Sequence, residues 1–351
     1  MHRLRIKPMK LPVLPINIKD KLSRAGLSVG LDIGSYSIKL VKLRFTKDKI
    51  ELLNYLLEPL SQETDLFLKK IAQSQDSKKV NISVSGPSTI TRYAEFPRMN
   101  PEEFKQALKF EAQKHIPFQL AEVNIDGCIL KNDLPDNKMF VLLAAVKKDF
   151  LNLRLKMYEA AGLKVNVIDI DSLAIINAFN FNYDKDPGLK NKVVALLDIG
   201  SQESKLNILE NFIPRLSRDI HIAGANFSQK LVDVLNVDFK TAENLKIIPD
   251  KDSLNKVSSA VESVLANLAR EIRTSFDYYE SQNASSVERI YLSGAGSLFS
   301  GLKDILTNLV GIDVQYWDPL KNIEIGSAVD AQKLKSSTSS LAVAVGLALR
   351  S

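Results

Sequence analysis

The chain has 351 residues, 45% hydrophobic and 25% charged, a globular composition with length for about two domains. Its one cysteine, Cys128, excludes a disulfide within the chain, argues with only three histidines against a Cys/His zinc site, and fits a reducing, cytoplasmic compartment. The net charge is +6, and the stretch 1–24 holds Arg3, Arg5, Lys7, Lys10, Lys19, Lys21 and Arg24 against Asp20, so the body is neutral and a nucleic-acid-binding body is not supported.

The tail, residues 1–26, reads as a solvated basic leader; contact with anionic lipid, at ~1 kcal/mol per basic residue, is the alternative. Pro8, Pro12 and Pro15 break up any signal-peptide h-region. The longest apolar run, Leu341 to Leu349, is far shorter than the ~20 residues of a membrane-spanning helix.

The body opens with strands at Val29–Leu31, Ile38–Phe45 and Ile50–Leu56, a helix over Thr64–Ser74 and a strand over Val80–Val84 that stops at Ser85-Gly86-Pro87. A strand at Thr91–Phe96 then leads to Asn100-Pro101-Glu102-Glu103, a strong helix start: an N-cap residue, a proline in the first turn and acids favouring the dipole. That helix runs to about Lys114. Strands at Val123–Leu130 and Met139–Val146 follow, then a helix Asp149–Ala161 closed by Gly162, a strand Val165–Ile168 and a helix that Asp171 caps. The second half reads as strands Val193–Leu197, Lys205–Leu209 and Phe212–Ile220, helices Phe227–Leu235, Phe239–Ile247 and Asp252–Tyr279, a strand Val287–Leu292, a helix Leu302–Leu309 and a short strand Val314–Tyr316. Gln332 to Ser340 reads as a polar loop, and Leu341 to Leu349 as a last apolar helix packed in the core.

One corner of this chain occurs twice. Leu31-Asp-Ile-Gly-Ser35 returns letter for letter as Leu197-Asp-Ile-Gly-Ser201, and Lys39, Leu40 and Leu43 match Lys205, Leu206 and Leu209 at the same offset. Each copy is a hairpin turn that presents clustered backbone N–H groups and a hydroxyl, a nest for phosphate. Two such turns facing across a cleft grip a polyphosphate through Gly34, Ser35, Tyr36 and Lys39 on one side and Gly200, Ser201, Gln202 and Glu203 on the other. Asp32 and Asp198 are then placed to hold the divalent metal that neutralises it.

Further along, Ser293-Gly294-Ala295-Gly296-Ser297, with Leu298, follows a strand; glycines there admit a ligand to the backbone. The alternative is a plain strand-to-helix turn. Glu243 and Lys246 share a helix face, as an ion pair or as a contact to a ribose or base edge, and Gly224 admits a phosphate. Asp169 and Asp171 flank a strand end, where either positions a water against a terminal phosphate; capping is the favoured reading for Asp171. There is no Walker A sequence, so phosphate recognition falls to the hairpin turns.

This order of turns resembles the actin/sugar-kinase/Hsp70 superfamily. Within it the chain resembles the PilM family, cytoplasmic actin-like proteins of type IV pilus assembly. Three stretches carry the resemblance: Gly30 to Leu40, Phe110-Glu-Ala-Gln-Lys-His-Ile-Pro-Phe118 with Glu122-Val-Asn, and Leu341 to Leu349. The first is shared with FtsA; the second points to PilM.

The resemblance implies an α/β, actin-like ATPase fold: two duplicated lobes around a nucleotide cleft with an inserted α+β subdomain. It divides the chain into lobe 1 (27–90, 164–186 and 336–351), the insert (91–163), lobe 2 (187–221 and 281–335) and a further subdomain (222–280). It implies ATP or ADP with Mg2+, at most weak hydrolysis, and a place at the periphery of the inner membrane. It also implies a partner, the cytoplasmic N-terminal tail of PilN, lying in a groove between the insert and lobe 1, with PilO and PilP beyond it and the pilus motor ATPases as further contacts. Leu11 to Ile18 in this chain's own tail is similar in character to such a segment. The runners-up are an FtsA-like filament protein, a GspL-like secretion component and a sugar or acetate kinase. The ending at Arg350-Ser351, after an apolar helix, argues against the first two.

Overall fold

The computed structural model describes residues 26–61, 63–74, 78–249 and 253–350. The readings of the basic tail up to residue 25, and of a helix start at Asp252, lie outside the described residues.

Two sheets have the same design. In the first, Gly26–Ile33 pairs antiparallel with Ser37–Phe45, which pairs antiparallel with Ile50–Pro59, while Lys79–Val84 and Lys164–Ile170 add in parallel on the other side. In the second, Val193–Ile199, Ser204–Glu210 and Ile213–Ile220 repeat the meander, and Arg289–Ser293 and Asp313–Tyr316 repeat the parallel strands. The repeated letters therefore mark a repeated architecture. A two-residue strand, Glu324–Ile325, extends the first sheet beyond Ile50–Pro59 and was not expected.

The central strands are buried on both faces, which is why they read as continuous apolar runs. Each large sheet has its own apolar core. A third, smaller core belongs to the three-stranded sheet of Thr89–Pro97, Lys138–Lys147 and Val123–Leu134, covered by the helix Pro101–His115 through Phe104, Leu108 and Ala112. That helix starts as its letters predict: Asn100 and Glu103 form a reciprocal capping box. Asp136 and Asn137 turn the sheet's last hairpin with positive φ, the conformation short polar side chains tolerate best. The small sheet also touches the second lobe, where the Tyr93 hydroxyl lies 2.8 Å from Ser217 Oγ and the Arg215 guanidinium lies over the Phe140 ring.

The stretch read as a polar loop, Gln332 to Ser340, is instead mostly helical. Asp330 caps a short helix Ala331–Lys335 by accepting from Gln332 and Lys333, and a 3-10 turn Thr338–Leu341 follows. The last apolar helix, Ala342–Ala348, is buried all round. It packs so closely on the helix Asp171–Tyr183 that a Cβ on Gly346 would lie 1.8 Å from the Ala174 carbonyl oxygen. Gly346→Ala should therefore lose about 2–3 kcal/mol, although alanine is the better helix former. Urea unfolding measures it, and an unchanged midpoint would mean the helices do not meet there.

Candidate functional site

The two repeated corners line one cavity of about 290 Å3 between the lobes. The first side is built by Asp32, Gly34, Ser35, Tyr36 and Lys39, and the second by Asp198, Gly200, Ser201, Gln202 and Glu203. The corners are closed alike: Gly34 N–H donates to Ser37 O at 3.1 Å, and Gly200 N–H to Glu203 O at 3.0 Å. Antiparallel register sets Lys39 directly opposite Asp32 and Lys205 directly opposite Asp198.

The two lysines then differ. Lys39 Nζ pairs with its own Asp32 at 3.0 Å. Lys205 Nζ reaches Asp171 at 3.3 Å, and the charges of Asp171 and Asp198 hold it protonated above its ordinary range despite burial. Lys205 is a cleft residue the sequence reading passed over. Its offset from the second corner, identical to that of Lys39 from the first, was the available signal.

Asp171 is not a cap. Ile170 remains extended at the N-cap position, so Asp171 becomes the first helical residue, and its carboxylate turns to Lys205 across the cleft. Burial works against its charge, but Lys205 and the hydroxyls of Ser83 and Ser85 outweigh burial and hold it below the ordinary carboxylate range. Such a carboxylate is a poor base. Asp169 is no better placed: it is fully buried, accepts from its neighbour Ile170 N–H and is paired with Arg350.

Asp32 and Asp198 are both buried at the cleft. Burial raises both carboxyls above the ordinary 3.8, against the pull of Lys39 on Asp32 and of Lys205 and the Ser293 hydroxyl on Asp198. Each also feels a like charge: Asp171 raises Asp32, and Asp32 raises Asp198. Ser293 Oγ donates to Asp198 Oδ2 at 2.8 Å, fixing its orientation. Two buried, mutually repelling carboxylates suit Mg2+, which takes one or two carboxylates and completes its shell with phosphate oxygens and water.

Gly294 and Ala295 close the cleft beside the second corner, and Ser340 from the unexpected 3-10 turn joins them. Gly294 has φ +86°, and a Cβ there would meet the Ile199 carbonyl oxygen at 2.3 Å, so the strand end requires glycine. Gly224, Glu243, Lys246 and Gly296 gather behind Gly200 rather than on the cavity wall. Gly224 N–H donates to Gly200 O at 3.0 Å, and Lys246 Nζ lies 2.6 Å from Glu243 Oε1 and 2.9 Å from Ser228 Oγ. Lys246 is only 5% exposed, so this is no surface ion pair. Leu298 sits half-buried in the 3-10 turn Ala295–Leu298, away from the cavity wall.

Gly26-Leu-Ser28-Val-Gly30 has the spacing of a hydrolase nucleophile elbow, yet Ser28 lies buried within a strand and accepts from Asn81 Nδ2, so it presents no nucleophile. No helix among the described residues is long and apolar enough to cross a membrane.

Comparison with known proteins extends over nearly the whole chain. The family described as type IV pilus assembly protein PilM matches residues 30–351. A solved "PilM-PilN type IV pilus biogenesis complex" superposes with a TM-score of 0.80 at 25% identity, covering 92% of this chain and 98% of that one. The ethanolamine utilization protein EutJ of Carboxydothermus hydrogenoformans shares the fold, with a TM-score of 0.56 at 14% identity over 95% of this chain and 96% of its own. The chaperone protein dnaK of Cyanophora paradoxa is 29% identical over 124 residues, 33% of this chain, and the chain spans 19% of that relative's length. The fold is the two-lobed, actin-like α/β architecture expected from the order of the turns.

Proposed function

The chain belongs to the type IV pilus assembly protein PilM family, and from that premise we propose that it is a nucleotide-binding scaffold of the pilus assembly complex that binds ATP with Mg2+ between its lobes and holds the cytoplasmic tail of PilN. The observation that carries the nucleotide reading is the pair of identical corners lining one cavity with a buried carboxylate behind each. Backbone N–H groups of Ser35, Tyr36, Ser201 and Gln202 would bind the phosphates at corners that the Gly34 and Gly200 N–H groups close, and Asp32 and Asp198 would share the metal, which supplies charge neutralisation. The nucleoside would extend past Gly294 and Ala295 on the cavity wall toward Gly224, Glu243, Lys246, Gly296 and Leu298, which lie off it. In this reading the insert, residues 91–163, interrupts lobe 1, and lobe 2 begins at residue 187.

Asp171, engaged by Lys205 and held acidic, supports slow turnover at most. The nucleotide then acts by biasing the closure of the lobes, and closure changes what the insert offers a partner. The partner reading rests on family membership and on the likeness to the solved complex whose title pairs PilM with PilN. PilO and PilP follow through PilN, at the inner-membrane periphery; the pilus motor ATPases are further candidates.

A synthetic peptide of the PilN cytoplasmic tail, immobilised, should retain the full chain, and ATP with Mg2+ should change the amount retained. No retention in either condition removes the scaffold reading. Rapid phosphorylation of a sugar or acetate would favour the kinase class instead.

A further inference from the structure

The cleft is lined by a third cation that the nucleotide reading leaves unused. Arg154 comes from the helix Lys148–Ala160 and reaches the same cavity as the two corners. Lys39 is taken by Asp32 and Lys205 by Asp171. Among the described residues, Arg154 is the cleft-lining cation that makes neither an ion pair nor a hydrogen bond. Its one recorded partner is the Phe150 ring one turn earlier, 5.6 Å from Cζ to the centroid. Arg154 is half-buried at the cavity wall, with no carboxylate of the described residues within ion-pair distance.

Its neighbourhood says which end of a ligand it would meet. One turn further along the same helix lies the buried phenol of Tyr158, which feels the charges of Arg154, Asp32 and Asp171 together. That puts the guanidinium on the acid-and-lysine side of the cleft, whereas Gly224 and Lys246 pack behind Gly200. A guanidinium with free donors pairs with phosphate by two parallel hydrogen bonds, a geometry an ammonium lacks.

Resting on the nucleotide reading, we infer that Arg154 is the specificity-determining contact for the last phosphate of a nucleoside triphosphate, and that it makes the cleft distinguish triphosphate from diphosphate. The chain path gives this contact a mechanical consequence. The helix that carries Arg154 begins directly after Lys138–Lys147, the strand at the centre of the small sheet. A terminal phosphate drawn onto Arg154 therefore pulls on the insert itself, and its loss releases the pull.

The test titrates the full chain with AMPPNP-Mg and with ADP-Mg, in the natural protein and in Arg154→Ala and Arg154→Lys. The natural protein should favour AMPPNP. Arg154→Ala should lose about tenfold or more in AMPPNP affinity with ADP affinity unchanged, and Arg154→Lys should keep the charge and recover part of the loss. Thermal melts of the free variants report whether they fold, and the lysine variant serves if the alanine one does not. Equal affinity of the natural protein for both ligands, or a loss shared equally by both or by neither, overturns the assignment and leaves the nucleotide site standing. Binding of neither ligand by the natural protein overturns the nucleotide reading itself.

Discussion

Lys205→Met should cost about 3–5 kcal/mol of folding stability, because it strands buried carboxylates without their cation. Lys205 pairs with Asp171 at 3.3 Å and lies opposite Asp198 in the hairpin register. Its side chain is 12% exposed and that of Asp171 14%, so water rescues neither. Replacing both members, Lys205→Met with Asp171→Asn, should recover most of the loss, since a pair of neutral side chains carries no desolvation penalty. The two single variants and the double variant, unfolded in urea, close a double-mutant cycle. Additive losses would mean that the lysine and Asp171 do not interact. The same pair gives a pH signature. Asp171 is held below its ordinary 3.8, so the stability it contributes is present above that value and is lost as the pH falls through its folded-state value.

Asp198→Asn should act in the opposite direction on stability and against function. Burial raises the Asp198 carboxyl, so the folded chain holds this proton more tightly than the unfolded chain does. Stability is thereby fullest below 3.8 and declines as the pH rises through the raised value. Ionising this buried carboxyl is a net cost in the free protein. Asparagine removes the charge and still accepts from Ser293. The free variant should melt higher than the natural chain, with a flatter pH dependence above 3.8. It should also lose about 100-fold or more of its affinity for ATP-Mg, because a metal ligand has gone. Melting curves with and without ATP-Mg read both effects. A variant that keeps the full nucleotide-induced shift would remove Asp198 from the metal, and one destabilised when free would contradict the cost of its buried charge.

The corners were legible in the sequence because each is local: five letters suffice to make a turn, and their repetition marked two equivalent lobes. The capped start at Asn100 was legible for the same reason, since a capping box spans only four positions. What could not be read was partnership at long range. Lys205 finds Asp171 rather than its cross-strand neighbour because the helix after Ile170 begins at Asp171 itself, one residue earlier than a cap there would allow, and that carboxylate reaches across the cleft. Arg154 comes from a helix beyond the inserted sheet, and nothing in its neighbouring letters points to a cleft. Ser340 was missed because the stretch before it is polar, and its helix is little more than one turn, too short to show a period. Lys246 looked like half of a surface pair at helical spacing; the close packing of Gly224 against Gly200 buries it.

In the function proposed for this chain, the two corners close on a metal-bound triphosphate. Calorimetric titration of the full chain with AMPPNP, once with Mg2+ and once with EDTA, tests it most directly. One site per chain is expected, with affinity falling at least about tenfold when the metal is withdrawn, because the buried charges of Asp32 and Asp198 then face the phosphates unscreened. Absence of binding, or binding indifferent to the metal, would contradict it.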